Sequence, residues 1–318
     1  SSTSAFNEVM PRIMASARAT YLVGIIVALK NSLVVGIVFR SNATLPHSVR
    51  YEQSLLGLIQ DQSESRLPDS SIEFLKSFRV CATCKRWERL GARNDGGYAT
   101  CMDEFDGKSE IKAAFSLGVR EEDQWSVDVN NRWHVPVYQF DCTVKSAQKC
   151  PDCHFFEKCI KSEDGSGDSF PGKSWTLSEV LANTKLSSVP DRSIFMKMDI
   201  ESSEWWVFEK EDPAILRKFR QIAVEFHVLR VVEEHERKLR AMRKLQQAGF
   251  VVAHIHGNNW APFVEVGDYA IPDVLEVIMV SDPSLKSQCD NHPKDFSDDS
   301  PNNPIGPTFP HATLPAMF

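Results

Sequence analysis

The chain has no dense run of lysine or arginine, and its 36 basic residues are outnumbered by 43 acidic ones, for a net charge of −7. A protein that grips a phosphate backbone normally carries a basic face, so no nucleic-acid partner is expected. No internal repeat is present, so the chain is not an array of stacked repeats. Its eight cysteines, at 81, 84, 101, 142, 150, 153, 159 and 289, show no clean zinc-ribbon spacing. Structural zinc usually takes four Cys or His ligands; the pairs Cys81–Cys84 and Cys150–Cys153, with Cys159 and His154 nearby, could supply thiolates. An even number clustered in mid-chain fits disulfide bonds in an oxidising compartment better than zinc or unpaired core thiols.

What is there is an ordinary globular composition, 42% hydrophobic and 25% charged, enough for a sizeable core. Residues 21–39 are almost wholly aliphatic and about as long as a bilayer is thick, with an interruption at Lys30-Asn31-Ser32. Twelve apolar side chains favour insertion by roughly 4–7 kcal/mol, and a central lysine opposes it by about 2.5–3.5 kcal/mol. A single-pass transmembrane helix is therefore expected at 21–39. It follows a short tail over 1–20 and leads into a polar stem over 40–79. A cleaved signal peptide lacks a convincing cleavage site here. Residues 282–318, rich in Pro, Asp, Asn and Ser, read as a disordered tail.

Between these flanks strands and helices alternate. Strands are expected at 111–119, 135–141, 193–199, 221–227, 250–256 and 274–281. Helices are expected at 121–132, 176–183, from 203, and over 231–249. Such alternation implies βαβ units and a mostly parallel sheet, whose ligands gather at the carboxyl ends of the strands.

Polar residues at those ends are the candidates for chemistry. Ser116-Leu117-Gly118-Val119 closes the first strand, where a glycine allows a tight turn and close backbone approach. Asp141 closes the second, roughly 20 residues later, where a carboxylate can accept hydrogen bonds from ribose hydroxyls. Upstream, Asn94-Asp95-Gly96-Gly97-Tyr98 is a turn placed to close over a bound cofactor. The third strand ends in Lys197-Met198-Asp199-Ile200-Glu201, and the fourth in Glu225-Phe226-His227. Asp199, Glu201 and His227 could supply a general base or hold a hard divalent cation; the metal-independent base is favoured. His256, Asn258, Asn259 and Glu276 suit polar recognition of a substrate. Helix capping by Asp141, Asp199 or Glu201, and a plain turn at Gly257-Asn258, remain the structural alternatives.

These motifs, in this order, resemble the FkbM-like, methyltransferase-like family of membrane-anchored and secretory eukaryotic proteins. The likeness runs from Arg89-Leu90-Gly91 through Lys197-Met198-Asp199-Ile200-Glu201 and Glu204-Trp205 to Pro272-Asp273-Val274-Leu275-Glu276, within a domain at 80–281. The resemblance implies an α/β, Rossmann-like class I methyltransferase fold, a mostly parallel sheet with helices on both faces, preceded by the transmembrane signal anchor. It also implies S-adenosylmethionine as cofactor and O-methylation of a small-molecule or glycan hydroxyl in the Golgi lumen. By position, Gly118 and the Asp95-Gly96 turn would line the methionine end and Asp141 the ribose, with Gly97 and Ser116 also binding the cofactor, and His227, Asp199 and Glu201 would lie near the transferring methyl. Glu225, His256, Asn258, Asn259 and Glu276 would face the acceptor. The first loop departs from the family in being poor in glycine. Two other readings fit the residues: a metal-dependent glycosyl-transferring enzyme built on Asp199 and Glu201, and a catalytically silent binding protein.

Overall fold

The computed structural model describes residues 22–29, 32–39, 67–93, 95–105, 111–258 and 260–289. The expected 1–20 tail, most of the 40–79 stem, the turn residue Asn94, the candidate Asn259 and the tail from 290 on lie outside the described residues. The chain divides into two units, Ser1–Glu64 and Ser65–Phe318.

In the first unit, β1 (Leu22–Leu29) and β2 (Ser32–Phe39) pair antiparallel, from Leu22 opposite Phe39 to Leu29 opposite Ser32. This corrects the transmembrane helix expected at 21–39. The segment is dominated by Val and Ile, which are stiff at χ1 and favour extended backbone. The Lys30-Asn31 interruption falls between the two strands. Among the described residues, no helix is long and apolar enough to cross a membrane.

The second unit begins inside the expected stem. Helix α1 (Asp69–Lys76) and the residues after it contribute Phe74, Leu75 and Phe78, all fully buried. An antiparallel hairpin follows, β3 (Trp87–Gly91) with β4 (Gly97–Cys101). Next come β5 (Ala113–Leu117), α2 (Gln124–Trp133), β6 (Val137–Phe140) and β7 (Cys153–Phe156). Two short strands, β8 (Cys159–Ile160) and β9 (Ser174–Trp175), precede α3 (Leu177–Asn183). Then follow β10 (Ile194–Met198), α4 (Glu204–Lys210), α5 (Pro213–Leu216), β11 (Phe219–Phe226) and α6 (His235–Gln247). The last strands among the described residues are β12 (Val251–Gly257), the hairpin β13 (Phe263–Val266) and β14 (Tyr269–Pro272), and β15 (Leu275–Val280).

Seven strands form the main sheet, in the order β12-β15-β11-β10-β5-β6-β7. From β11 to β7 neighbours run parallel, whereas β15 is antiparallel to both β11 and β12. The Rossmann-like, mostly parallel class I fold with a leading membrane helix is thus corrected. The sheet is mixed and is accompanied among the described residues by small two-stranded sheets, three of them antiparallel hairpins. The helices are few and mostly short, the longest being the 13-residue α6. Periodicity alone missed the hairpins because Asn94-Asp95-Gly96-Gly97 reads as an isolated turn until its two flanks are seen to pair.

The central strands are buried throughout, as strands covered on both faces are: all five residues of β5 and of β10, and all eight of β11, including the polar Ser116, Lys197, Arg220, Gln221 and Glu225. One face packs against α1, α3, α4 and α6 around Phe74, Trp205, Phe226 and Leu245. The other is covered by the β3–β4 hairpin and α2, through Leu90, Tyr98, Trp125 and Val129. All eight cysteines pair, as Cys81–Cys289, Cys84–Cys101, Cys142–Cys159 and Cys150–Cys153. Such bonds persist in oxidising compartments. Cys81–Cys289 carries the ordered unit past its expected end at 281.

At the sheet end remote from the candidate site, Glu104 is wholly buried and locks β4 to β15. Its carboxylate accepts from the Ser281 and Asp282 amides, each at 3.0 Å, and pairs with Arg192 at 2.7 Å. Removing Glu104 takes the acceptor from two buried amides, at about 1–3 kcal/mol each and so roughly 2–5 kcal/mol together, while Arg192 keeps its pair with Asp282 at 3.1 Å. Glu104→Ala should therefore lower the unfolding free energy in urea by about that amount. A loss under 1 kcal/mol, within the range for an exposed pair, would show that the clamp bears no load.

Candidate functional site

The carboxyl ends of β5, β6, β10 and β11 deliver Gly118, Asp141, Asp199 and His227 to one edge of the sheet. Gly118 has φ +74°, and a Cβ there would lie 1.6 Å from the Asp199 carbonyl oxygen. No other residue fits where these two loops cross. The buried Lys197 ammonium donates to the Gly118 carbonyl and stands 3.6 Å from Asp199 Oδ2. Asp141 braces the same loop. Its Oδ2 accepts from the Val119 amide at 3.1 Å, and its Oδ1 from the Thr143 amide and hydroxyl at 2.6 Å.

Two cavities meet at Gly118, Val119, Arg120 and Asp199. The first, about 270 Å³, is lined by Asp141, Ile160, Phe170 and Glu201 among others. The second, about 440 Å³, is lined by Asp95, Gly96, Asp123, Gln148 and Lys197. Asp95 also pairs with Arg120 at 3.1 Å. Gly97 and Ser116 line neither. Gly97 faces Gly91 across the hairpin, where a Cβ would meet the Ala92 carbonyl at 2.0 Å. Ser116 is buried within β5.

His227 sits among four carboxylates. Its Nδ1 and backbone amide donate to Glu204 Oε1, at 3.0 and 2.8 Å. Its Nε2 stands 3.7 Å from Asp199 Oδ1, 3.7 Å from Glu201 Oε2 and 3.6 Å from Glu225 Oε1. Burial opposes a charge on the ring, but the Glu204 hydrogen bond and the negative charge of Glu204, Glu225 and Asp199 outweigh it and push the pKa up to about 10. An imidazolium has no lone pair with which to take a proton. A ring held as an imidazolium cannot serve as a base, so of these groups only a carboxylate could accept a proton. Asp199, Glu201 and His227 each offer a ligand atom within 4.8 Å of the others, so the same trio could hold a hard cation in place of the proton.

The backbone around this cluster is strained. Glu201, Ser202 and Val228 have φ of +54°, +77° and +61°; for a β-branched valine this is a conformational outlier, and such strain gathers at functional sites. The Val228 turn is held from beneath: buried Lys238 donates to the Val228 carbonyl, and His235 Nε2 lies 2.7 Å from the Leu229 carbonyl.

Glu225, Glu276 and His256 face one another across β11, β15 and β12. They form an inner layer and line neither cavity. Asn258 Nδ2 donates to Glu225 at 2.8 Å. The Tyr98 hydroxyl lies 3.1 Å from Glu225 and 3.4 Å from Asp199. Burial, reinforced by Asp199 and Glu276, holds the Glu225 carboxyl well above the usual carboxylate range. Burial raises Glu276 to about 8 against the opposing charge of Arg89. Tyr98, Lys197 and Glu204 were not singled out from the sequence, although all three lie in its recognised motifs. Lys197 shares the parity of Asp199 along the strand, a signal that could have marked it; Glu204 has no such local signal.

No known protein family and no curated protein matches the chain. Among solved structures, one match is named "Putative hemolysin from Streptococcus thermophilus", with 12% identity and a TM-score of 0.33, covering 59% of this chain and 65% of that one. So slight a likeness carries no argument.

The His227 environment makes stability depend on pH. Its pKa rises from about 6.5 in the unfolded chain to about 10 in the fold. The resulting stabilisation is complete below pH ~6.5 and is lost as pH rises through ~10. Glu276, raised from 4.5 to about 8, removes stability in the same direction but at lower pH. The thermal midpoint in scanning fluorimetry should fall steadily between pH ~7 and ~10, and His227→Gln should flatten that slope. The same slope in the variant would mean that His227 is neutral in the fold.

Proposed function

We propose that this chain is an S-adenosylmethionine-dependent methyltransferase acting on a hydroxyl of a small molecule or glycan in the lumen of the secretory pathway. One observation carries the reading: two neighbouring cavities share Gly118, Val119, Arg120 and Asp199 in their linings. An elongated ligand with a nucleoside at one end and an amino acid at the other suits such a pair. The Asp141 carboxylate at the first cavity fits the nucleoside side. Asp95, Gly96 and Lys197 fit the charged amino-acid side. The four disulfides support the lumenal assignment.

The bound cofactor would supply an electrophilic methyl group. The chain's part is to orient an acceptor oxygen behind that methyl, since alignment accounts for much of the rate in such displacements. Asp199, common to both cavities, takes the hydroxyl proton. His227, as an imidazolium, holds Asp199 and Glu201 in place and balances their charge. The Tyr98 hydroxyl, shared between Asp199 and Glu225, fixes the carboxylate's orientation.

The 4.8 Å grouping of Asp199, Glu201 and His227 favours a second reading, metal-dependent glycosyl transfer, in which a divalent cation occupies that trio. Calorimetric titration of the purified chain with S-adenosylmethionine and with sugar nucleotides, with and without Mn²⁺, separates the two. The first reading requires metal-independent binding of S-adenosylmethionine. Sugar-nucleotide binding that appears only with Mn²⁺ would replace it.

On the favoured reading, Asp141→Ala should weaken S-adenosylmethionine binding by about 1.5–3 kcal/mol, the loss of a charged hydrogen-bond partner. Unchanged affinity in the folded variant would remove Asp141 from the site. Asp199→Asn should lower turnover by about 10²–10⁴-fold with cofactor affinity nearly intact. Full activity in that variant would move the base elsewhere, Glu201 being the next carboxylate.

A further inference from the structure

Three of the four disulfides join segments that the fold already holds together. Cys81–Cys289 spans 208 residues and is flanked by backbone bonds from the Cys81 amide to Val252 and from the Ser287 amide to Cys81. Cys84–Cys101 and Cys142–Cys159 each span 17 residues and bury at least one sulfur, Cys101 wholly and Cys142 nearly so. The fourth, Cys150–Cys153, closes a loop of sequence separation 3 in the run Cys150-Pro151-Asp152-Cys153. Both its cysteines are half-exposed, at the start of β7, the edge strand of the main sheet.

A disulfide stabilises a fold chiefly by restricting the unfolded chain, and the effect shrinks with the loop it closes. By linkage, a bond that adds little to folding gains little from it in return. Cys150–Cys153 is therefore the bond that folding stabilises least, whereas Cys81–Cys289, exposed at Cys289, is held by the long loop it closes. Access is open as well: Lys149 and Pro151 are exposed, and so is His154, whose Nε2 lies 2.7 Å from Asp152 Oδ1.

The segment before this loop is tied to a cavity wall. Gln148, two residues ahead of Cys150, accepts from the Asp123 amide at 2.9 Å through Oε1, donates to Gln124 Oε1 at 3.2 Å, and accepts from Gln139 through its carbonyl at 3.1 Å. Gln148, Asp123 and Gln124 all line the larger cavity.

We propose that Cys150–Cys153 is an exchangeable redox site for a dithiol partner and that, through Gln148, its state sets how firmly the wall of the larger cavity is closed. A partner thiolate attacks one of the two sulfurs, forming a mixed disulfide and releasing the other as a thiolate. The partner's second thiol then displaces the remaining sulfur. The partner leaves as a disulfide, and two electrons and two protons pass to Cys150 and Cys153. The tether on 148–153 is released, and Gln148 loosens its hold on the amino end of α2. Re-oxidation by a disulfide reverses the step.

The test uses the full folded chain in mixtures of reduced and oxidised dithiothreitol, without cofactor, so its outcome is independent of the proposed methyl transfer. Alkylation and peptide mass spectrometry should find Cys150 and Cys153 reduced while the other six cysteines remain paired and the circular dichroism stays native. Hydrogen exchange at the Asp123 amide should rise about tenfold or more on reduction. A Cys150→Ser, Cys153→Ser variant should show the fast exchange in every mixture, and Gln148→Ala should show it with the disulfide intact. Reduction of this pair only together with the others, or only on unfolding, overturns the redox site. Selective reduction with unchanged protection at Asp123 overturns its link to the cavity.

Discussion

Asp199, Glu204, Glu225 and Glu276 crowd one edge of the sheet, and their mutual repulsion is the constraint that the surrounding structure answers. Four carboxylates so close together cannot all stay ionised without counter-charge. The fold offers one imidazolium beside Asp199, Glu204 and Glu225, a buried lysine beneath Asp199, and Arg89 near Glu276. It lets Glu225 and Glu276 hold their protons to higher pH. The cluster is therefore a balance in which the protonation of His227 and the ionisation of its neighbours depend on one another.

That balance rests on close backbone approach. The crossing at Gly118 brings the first loop against the Asp199 carbonyl, and Gly118, Val119, Arg120 and Asp199 line both cavities. Strain at Glu201, Ser202 and Val228 lies on the same edge, and helix α6 supports it through Lys238 and His235. His227 is thus placed from outside the cavities, by Glu204, whereas Asp199 is placed by Gly118 and Lys197 of the cavity linings. Gly97 and Ser116 sit near the site in sequence yet serve the hairpin and the strand.

Several features were legible in the residues: the strands at 111–119, 193–199 and 221–227, the α6 stretch, the gathering of polar strand ends at one edge, and a disulfide framework. These follow from short-range rules, namely apolar runs, helical spacing and an even cysteine count. The apolar 21–39 stretch misled because a run of Val and Ile satisfies both a membrane helix and a strand pair by composition. The 69–76 helix escaped notice because a short polar-flanked element shows its apolar face only once it has a partner.

By itself, then, the sequence determined which residues could be strands, marked Gly118 as a turn, and placed Asp199, Glu201, Glu225 and His227 at one rim on the condition that their strands were neighbours. Tertiary structure alone decided the antiparallel insertion of β15, the cysteine pairing and the ionisation of His227. Strand order is set by long-range packing that no local pattern encodes. A pKa depends on how many charges the fold brings within a few ångströms, and Glu204, on a different element, is the charge that keeps His227 protonated.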